Sequence, residues 1–201
     1  MTPDQLMDPR QVKQAIRQQA HDNRRAQENK EELSRGICQQ FAALPEYQAA
    51  RSVLFYLDVR TEVRTREYLP QALAHGKRIV VPYCVEGNLE LFHLENMDEL
   101  AVGMYKILEP REELRALPEK RVDVNQVDLI MVPGVAFDRT GARMGHGFGY
   151  YDKMLEHARR DTPLVALAFE CQLFPEIPTQ AHDIFMDKLI TEKQLYVGRG
   201  R

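Results

Sequence analysis

Apolar residues follow two rhythms along this chain, and the change from one to the other divides it. The first 45 residues are markedly polar, but Leu33, Ile37, Phe41 and Leu44 stand at steps of four, four and three. That spacing is one stripe of a helix that buries a single side. Asp8 followed by Pro9 is a helix-start signal, and neither Pro nor Gly interrupts the chain again until Gly36. Residues 1–45 are therefore predicted to form a helical arm of one or two long helices, ended by Pro45.

Beyond Pro45 the apolar positions contract into short runs at residues 52–57 (SVLFYL), 78–82 (RIVVP), 128–132 (DLIMV), 164–169 (LVALAF) and 188–191. Each has the length and content of a buried strand. Helical candidates at 65–75 and 149–160 lie between them. The alternation predicts a three-layer α/β/α architecture around a largely parallel sheet covered on both faces. Residues 88–93 (NLELFH) alternate like an exposed strand, and 103–110 read as a structured loop. At 201 residues the chain is long enough for one sizeable core, so a single domain over 1–201, arm included, is expected.

Composition narrows the class. The content of 44% hydrophobic and 28% charged residues is that of a globular protein, and no apolar run approaches the roughly 20 residues that span a bilayer. The N-terminal MTPDQLMDPRQVKQ lacks the apolar stretch of a secretory signal, and Cys38, Cys84 and Cys171 are too few and too scattered for a disulfide framework. A reducing cytoplasm fits this usage. With 27 Lys and Arg against 30 Asp and Glu, the formal charge of −3 offers no global field for nucleic acid, so any anion site must be local.

One segment supplies such a site. The run DLIMV delivers the chain to Pro133 and Gly134 at the carboxyl end of a predicted strand, where open α/β sheets collect ligands. Residues 133–152 then read PGVAFDRTGARMGHGFGYYD. Glycines 141, 145, 147 and 149 let the backbone approach a ligand and turn its N–H groups toward an anion. The helix predicted to start at Gly149 adds the positive end of its dipole, and Arg143 a charged fork. The spacing Gly145-x-Gly147-x-Gly149 has neither the GxxxxGK of a Walker A loop nor the GxGxxG of a dinucleotide fold. The chemistry indicated is the grip of a nucleotide phosphate by a different loop.

This segment resembles the signature of the 5-formyltetrahydrofolate cyclo-ligase family, close to PGxxFDxxGxRxGxGxGYYD. The resemblance extends to Lys13-x-x-x-Arg17, to Glu62 and Thr65, to Gly103 through Glu109-Pro110, to Ala168-Phe169 with Gln172, and to His182-Asp183 with Met186-Asp187. It implies an ATP- and Mg2+-dependent ligase that closes 5-formyltetrahydrofolate to 5,10-methenyltetrahydrofolate with release of ADP and phosphate. The implied partner is a small reduced folate, with no nucleic acid, membrane or obligate protein partner.

Residue by residue, the resemblance places Lys13, Arg17 and Arg143 on ATP phosphates, with Gly145, His146, Gly147 and Gly149 as the backbone cradle. Arg143 and Asp152 are the implied catalytic pair, and Asp152 with Asp183 the implied Mg2+ carboxylates. Tyr150 and Tyr151 offer flat faces, Tyr150 toward the ligand. The implied substrate side comprises Val59, Glu62, Arg64, Tyr105 and Phe148, together with His146, Gly147, Gly149 and Tyr150. Two positions depart from the family pattern. Arg64 stands where relatives carry an acid able to accept pterin N–H bonds, although Arg has only donors, and Tyr83 stands where relatives often have a basic residue. These departures leave two alternatives: ATP used on a different substrate, or a folate- or nucleotide-binding protein without turnover.

Overall fold

The computed structural model describes residues 8–103, 107–180 and 183–201. The chain opens with α1 (Pro9–Ala26), whose start is capped by the Asp8 carboxylate accepting the Arg10 N–H at 3.0 Å. Asn29, in the left-handed region at φ 54°, breaks the arm before α2 (Lys30–Ala42). Pro45 does not merely end the arm. It occupies the first turn of a short helix, α3 (Pro45–Ala49), where its missing N–H has no partner to lose.

The remaining elements are β1 (Ser52–Leu54), α4 (Leu69–Ala74), β2 (Arg78–Val85), β3 (Asn88–Leu94), β4 (Leu100–Val102), β5 (Leu108–Pro110), α5 (Glu112–Arg115) and β6 (Arg121–Val122). They are followed by β7 (Leu129–Val132), β8 (Ala136–Phe137), β9 (Arg143–Met144), α6 (Tyr150–Glu156), β10 (Leu164–Leu167), β11 (Lys188–Ile190) and β12 (Leu195–Val197). The main sheet runs β12-β11-β10-β7-β1-β2-β3-β6. Its central strands, β11, β10, β7, β1 and β2, are parallel, and β12, β3 and β6 add antiparallel edges. The largely parallel α/β fold is as the alternating runs predict.

Strand pleating explains the two cores. Val53, Leu129, Met131, Val165 and Leu167 project to one face, where Ile37 and Phe41 of α2, Tyr47 of α3 and Leu69 of α4 cover them. Leu54, Ile130, Val132, Leu164 and Ala166 project to the other, under Met154 and Leu155 of α6. A third, smaller cluster sets Ile16 and Ala20 of α1 against Val135, Ala136, Ala142 and Met144 of the β8–β9 hairpin. The first helix of the arm therefore docks on the signature segment rather than on the main sheet.

Two predicted helices are shorter than their patterns. The candidate at 65–75 begins only at Leu69, because Thr65 first turns the chain with its hydroxyl on the Tyr56 carbonyl at 2.5 Å. The candidate at 149–160 ends at Glu156. Among the described residues, no helix is long and apolar enough to cross a membrane.

Candidate active site

The chain passes from β1 to β2 on one side and returns to β7 on the other side of β1. This reversal opens a crevice beyond the carboxyl ends of those strands. A cavity of about 650 Å³ occupies it, walled by the segment after β1, by Pro82 to Cys84, by Pro133 and Gly134, and by residues 143–152. The fold thus places the signature segment at the position where α/β sheets bind ligands.

Within that segment, a hairpin aims the key arginine. Asp138, buried at the turn, accepts the Thr140 N–H at 2.8 Å, the Thr140 hydroxyl at 2.6 Å and the Ala142 N–H at 3.2 Å on one oxygen, and the Ile177 N–H at 3.1 Å on the other. Gly141, at φ +89°, is pressed against the Met186 carbonyl, which a Cβ there would meet at 2.4 Å. Gln172 holds the base of the segment by donating to the Gly134 and Val135 carbonyls, both at 3.0 Å. These contacts explain the FDxxG part of the signature as scaffolding.

Arg143 then enters the cavity. Its guanidinium, 4% exposed, donates to the Pro133 carbonyl at 3.3 Å and pairs with Asp152, whose carboxylate is 54% exposed. Glycines 145, 147 and 149 line the cavity between these two residues. Because α6 spans only Tyr150–Glu156, its dipole is small, and cationic side chains must carry most of any phosphate grip.

The arm supplies two of them. Lys13 and Arg17, one turn apart on α1, both line the cavity. Arg17 donates from Nε to the Gly145 carbonyl at 3.0 Å, and its guanidinium passes 3.6 Å from where a Cβ on Gly147 would stand. Arg24, further along α1, is only 1% exposed. It braces the cavity floor through Thr61 Oγ1 at 2.9 Å and the Gly134 carbonyl at 3.4 Å. His21 stacks on His146 with ring centroids 5.5 Å apart. Burial, then the positive charge of Arg24, then His146, lower the His21 pKa.

The segment after β1 forms the facing wall. Val59 and Glu62 line the cavity. Glu62 accepts the Val59 N–H at 3.0 Å, and its other oxygen lies 3.4 Å from His146 Nε2. Arg64 lies outside the cavity lining. Its guanidinium turns back to the Arg60 carbonyl at 2.6 Å and to Asp58 at 3.4 Å. Asp58 does line the cavity. Burial raises its pKa, against the pull of the Arg66 N–H and the Arg66 and Arg64 charges. The Asp58 carboxylate is itself fully buried, with one oxygen on the Arg66 N–H at 2.9 Å and the other toward the Arg64 and Arg66 guanidiniums, so it anchors the wall that carries Glu62.

Of the aromatic candidates, Tyr150 and Tyr151 both line the cavity, and Tyr151 also packs against both core clusters. Burial raises the Tyr151 pKa. Phe148 lies on the same rim. Tyr83 lines the far end beneath Arg115, whose guanidinium sits 5.0 Å from its ring centroid. Tyr105 lies outside the described residues, as does His182.

For Mg2+, Asp152 and Asp183 both line the cavity. Asp183 spends one oxygen on the Gln180 N–H at 2.7 Å. Among the described residues no group of three or more His, Cys, Asp or Glu is poised around one point. That donor set fits a hard cation completed by phosphate oxygens and water, rather than an all-protein cage. Sequence reasoning missed Asp58, Arg24 and Asp138. Only Asp138 left a signal, as the acid of FDxxG.

Comparisons with known proteins bear on the family and the fold. The model of the 5-formyltetrahydrofolate cyclo-ligase family matches residues 9–192. The probable 5-formyltetrahydrofolate cyclo-ligase of Schizosaccharomyces pombe is 32% identical over 173 residues, covering 79% of this chain and 83% of that one. The 5-formyltetrahydrofolate cyclo-ligase of Mus musculus is 29% identical over 193 residues, covering 90% and 94%. The solved structure of Aquifex aeolicus 5,10-methenyltetrahydrofolate synthetase shares the fold with a TM-score of 0.80 at 32% identity, over 94% of this chain and 95% of that one. That of the Mycoplasma pneumoniae 5,10-methenyltetrahydrofolate synthetase, at 22% identity and a TM-score of 0.71 over 90% and 98%, shows the fold alone. The signature segment, the crevice it lines and the family match along most of the chain lead to one conclusion: this protein belongs to the 5-formyltetrahydrofolate cyclo-ligase family and is a ligase.

Proposed function

We propose that the protein converts 5-formyltetrahydrofolate and ATP to 5,10-methenyltetrahydrofolate, ADP and phosphate in a Mg2+-dependent reaction. The observation that carries this reading is the meeting of Lys13 and Arg17 from α1 with Arg143 and Asp152 around one cavity. The formyl amide is a poor electrophile with a poor leaving oxygen. Transfer of the γ-phosphoryl group to that oxygen activates the carbon, N10 attacks it, and the C–O bond breaks as phosphate leaves. Catalysis of this kind rests on positioning and charge neutralisation.

Each residue has a role in that sequence. Lys13 and Arg17 gather the polyphosphate from the arm side. Arg143, held in a nearly dry position, meets charge developing on the transferring group, where a low dielectric strengthens its field. A phosphate oxygen arriving at Arg143 displaces Asp152 from the pair, leaving that carboxylate free. Asp152 and Asp183 would hold Mg2+, which supplies further neutralisation of phosphate charge. Glu62 offers an acceptor to the N–H groups of a pterin. The engagement of Arg64 by Asp58 and the Arg60 carbonyl, away from the cavity lining, favours the folate over a different substrate.

We read residues 1–201 as one domain and the free cysteines 38, 84 and 171 as suited to a reducing cytoplasm. The test is the appearance of methenyl absorbance with purified protein, ATP and Mg2+, lost when either ATP or Mg2+ is left out. Absence of product at micromolar enzyme that still binds ATP sinks the proposal.

A further inference from the structure

Phe148 is 69% exposed on the rim of the cavity. Its ring lies against that of Tyr150 with centroids 5.5 Å apart and planes inclined by 14°. The two rings are held differently. Tyr150 is the first residue of α6 and is half-buried. Phe148 stands between Gly147 at φ +99° and Gly149 at φ +70°, and a Cβ on Gly149 would meet nothing within 4 Å. One ring is anchored; the other, largely exposed, gives up its stack on Tyr150 when it swings outward.

Two rings in this offset stack leave no space for a third, which requires a separation of about 7 Å. We propose that Phe148 and Tyr150 are the two jaws of a slot for a flat heteroaromatic ring, with Phe148 displaced outward as the ring enters. The slot then selects ring-bearing ligands over bare polyphosphates, which the cations of the same cavity would otherwise accept. The exposed Phe148 face is a cost in the free protein that a stacked ligand offsets. The inference rests on the proposed function, because the heteroaromatic rings that function brings to this cavity are the nucleotide base and the pterin.

The sequence contains no tryptophan, so Phe148→Trp places a sole tryptophan, excited selectively beyond tyrosine absorption, at the moving jaw. The emission of this variant is followed on addition of MgADP, of 5-formyltetrahydrofolate and of inorganic tripolyphosphate, with binding measured in parallel by calorimetry. The expected result is an emission shift with a ring-bearing ligand and none with tripolyphosphate. Phe148→Ala weakens the same ligand roughly tenfold, Phe148→Tyr restores its affinity, and the ligand affected identifies the source of the ring. Normal binding of both ligands with unchanged emission, and unchanged affinities in Phe148→Ala, overturn the slot and leave the proposed function standing. Failure of the wild-type protein to bind either ligand overturns both.

Discussion

Arg143 and Asp152 form an ion pair across the glycine-rich loop in which one partner is almost wholly buried and the other half exposed. Such an asymmetric pair contributes little to folding, because the exposed carboxylate is well solvated. It keeps a strong cation aimed at the cavity while no ligand is present.

Replacing either partner should therefore separate activity from stability. Arg143→Ala is expected to lower kcat by roughly 100- to 1,000-fold, the scale of a lost charge-stabilising donor. Asp152→Asn is expected to raise the Mg2+ concentration needed for half-maximal activity, with stability changed by less than about 0.5 kcal/mol. Steady-state rates across a Mg2+ series and urea unfolding of each variant make the comparison. An unchanged Mg2+ requirement in Asp152→Asn would remove that residue from the cation site.

Arg64 gives the opposite pattern. Because its side chain answers to Asp58 and lies outside the cavity lining, Arg64→Ala should leave the KM for the folate within about threefold. Arg64→Glu, although closer to the family pattern, sets a carboxylate against buried Asp58 and is expected to cost about 1–3 kcal/mol of stability. A tenfold fall in folate KM in Arg64→Glu, or about that much, would revive the idea of a different natural substrate.

Gly141→Ala tests the hairpin. Its φ of +89° and the 2.4 Å approach of a Cβ to the Met186 carbonyl combine backbone strain with a clash. A loss of about 2–3 kcal/mol is expected, together with a fall in kcat as Arg143 loses its aim. Thermal unfolding and kinetics report the two effects; unchanged Tm would contradict the packing described.

Asp128 sets an acid limit on stability. It accepts the Arg51 and Ser52 N–H groups at 3.0 and 3.1 Å and the Arg159 guanidinium at 3.1 Å. Burial alone would raise its pKa, but the Ser52 N–H, Arg159 and the Arg51 N–H together bring it below the ordinary 3.8. The unfolded chain thus binds the proton more readily than the folded one. The stabilisation is present above 3.8 and is lost as pH falls through the depressed folded value. Asp128→Asn should lower stability near neutrality by about 1 kcal/mol and flatten the acid limb of Tm against pH.

The parts of the fold readable in the sequence were those written in an uninterrupted local pattern. Residues 129–132 and 164–167 are unbroken apolar runs, and both became central strands. The β8–β9 hairpin escaped notice because its two-residue strands are too short to show alternation. The ligand loop was legible because glycine and arginine spacing is itself the chemistry. Asp58 and Arg24 were not, because nothing local distinguishes an acid beside a cavity or a buried arginine in a basic stretch from solvated ones. Arg24 is buried only because Thr61 and Gly134, distant in sequence, come to meet it.

The separate docking of α1 has a thermodynamic consequence. Its contact with the hairpin is a small cluster of side chains, yet it carries Lys13 and Arg17 to the cavity. Closure of the arm and capture of polyphosphate are therefore linked equilibria, each favouring the other by the same free energy. A nucleotide at a hundredfold excess over its Kd, by binding only the closed form, should add about 2.7 kcal/mol to the cost of opening the arm. Amide exchange along Pro9–Ala26 is where that increment would be read.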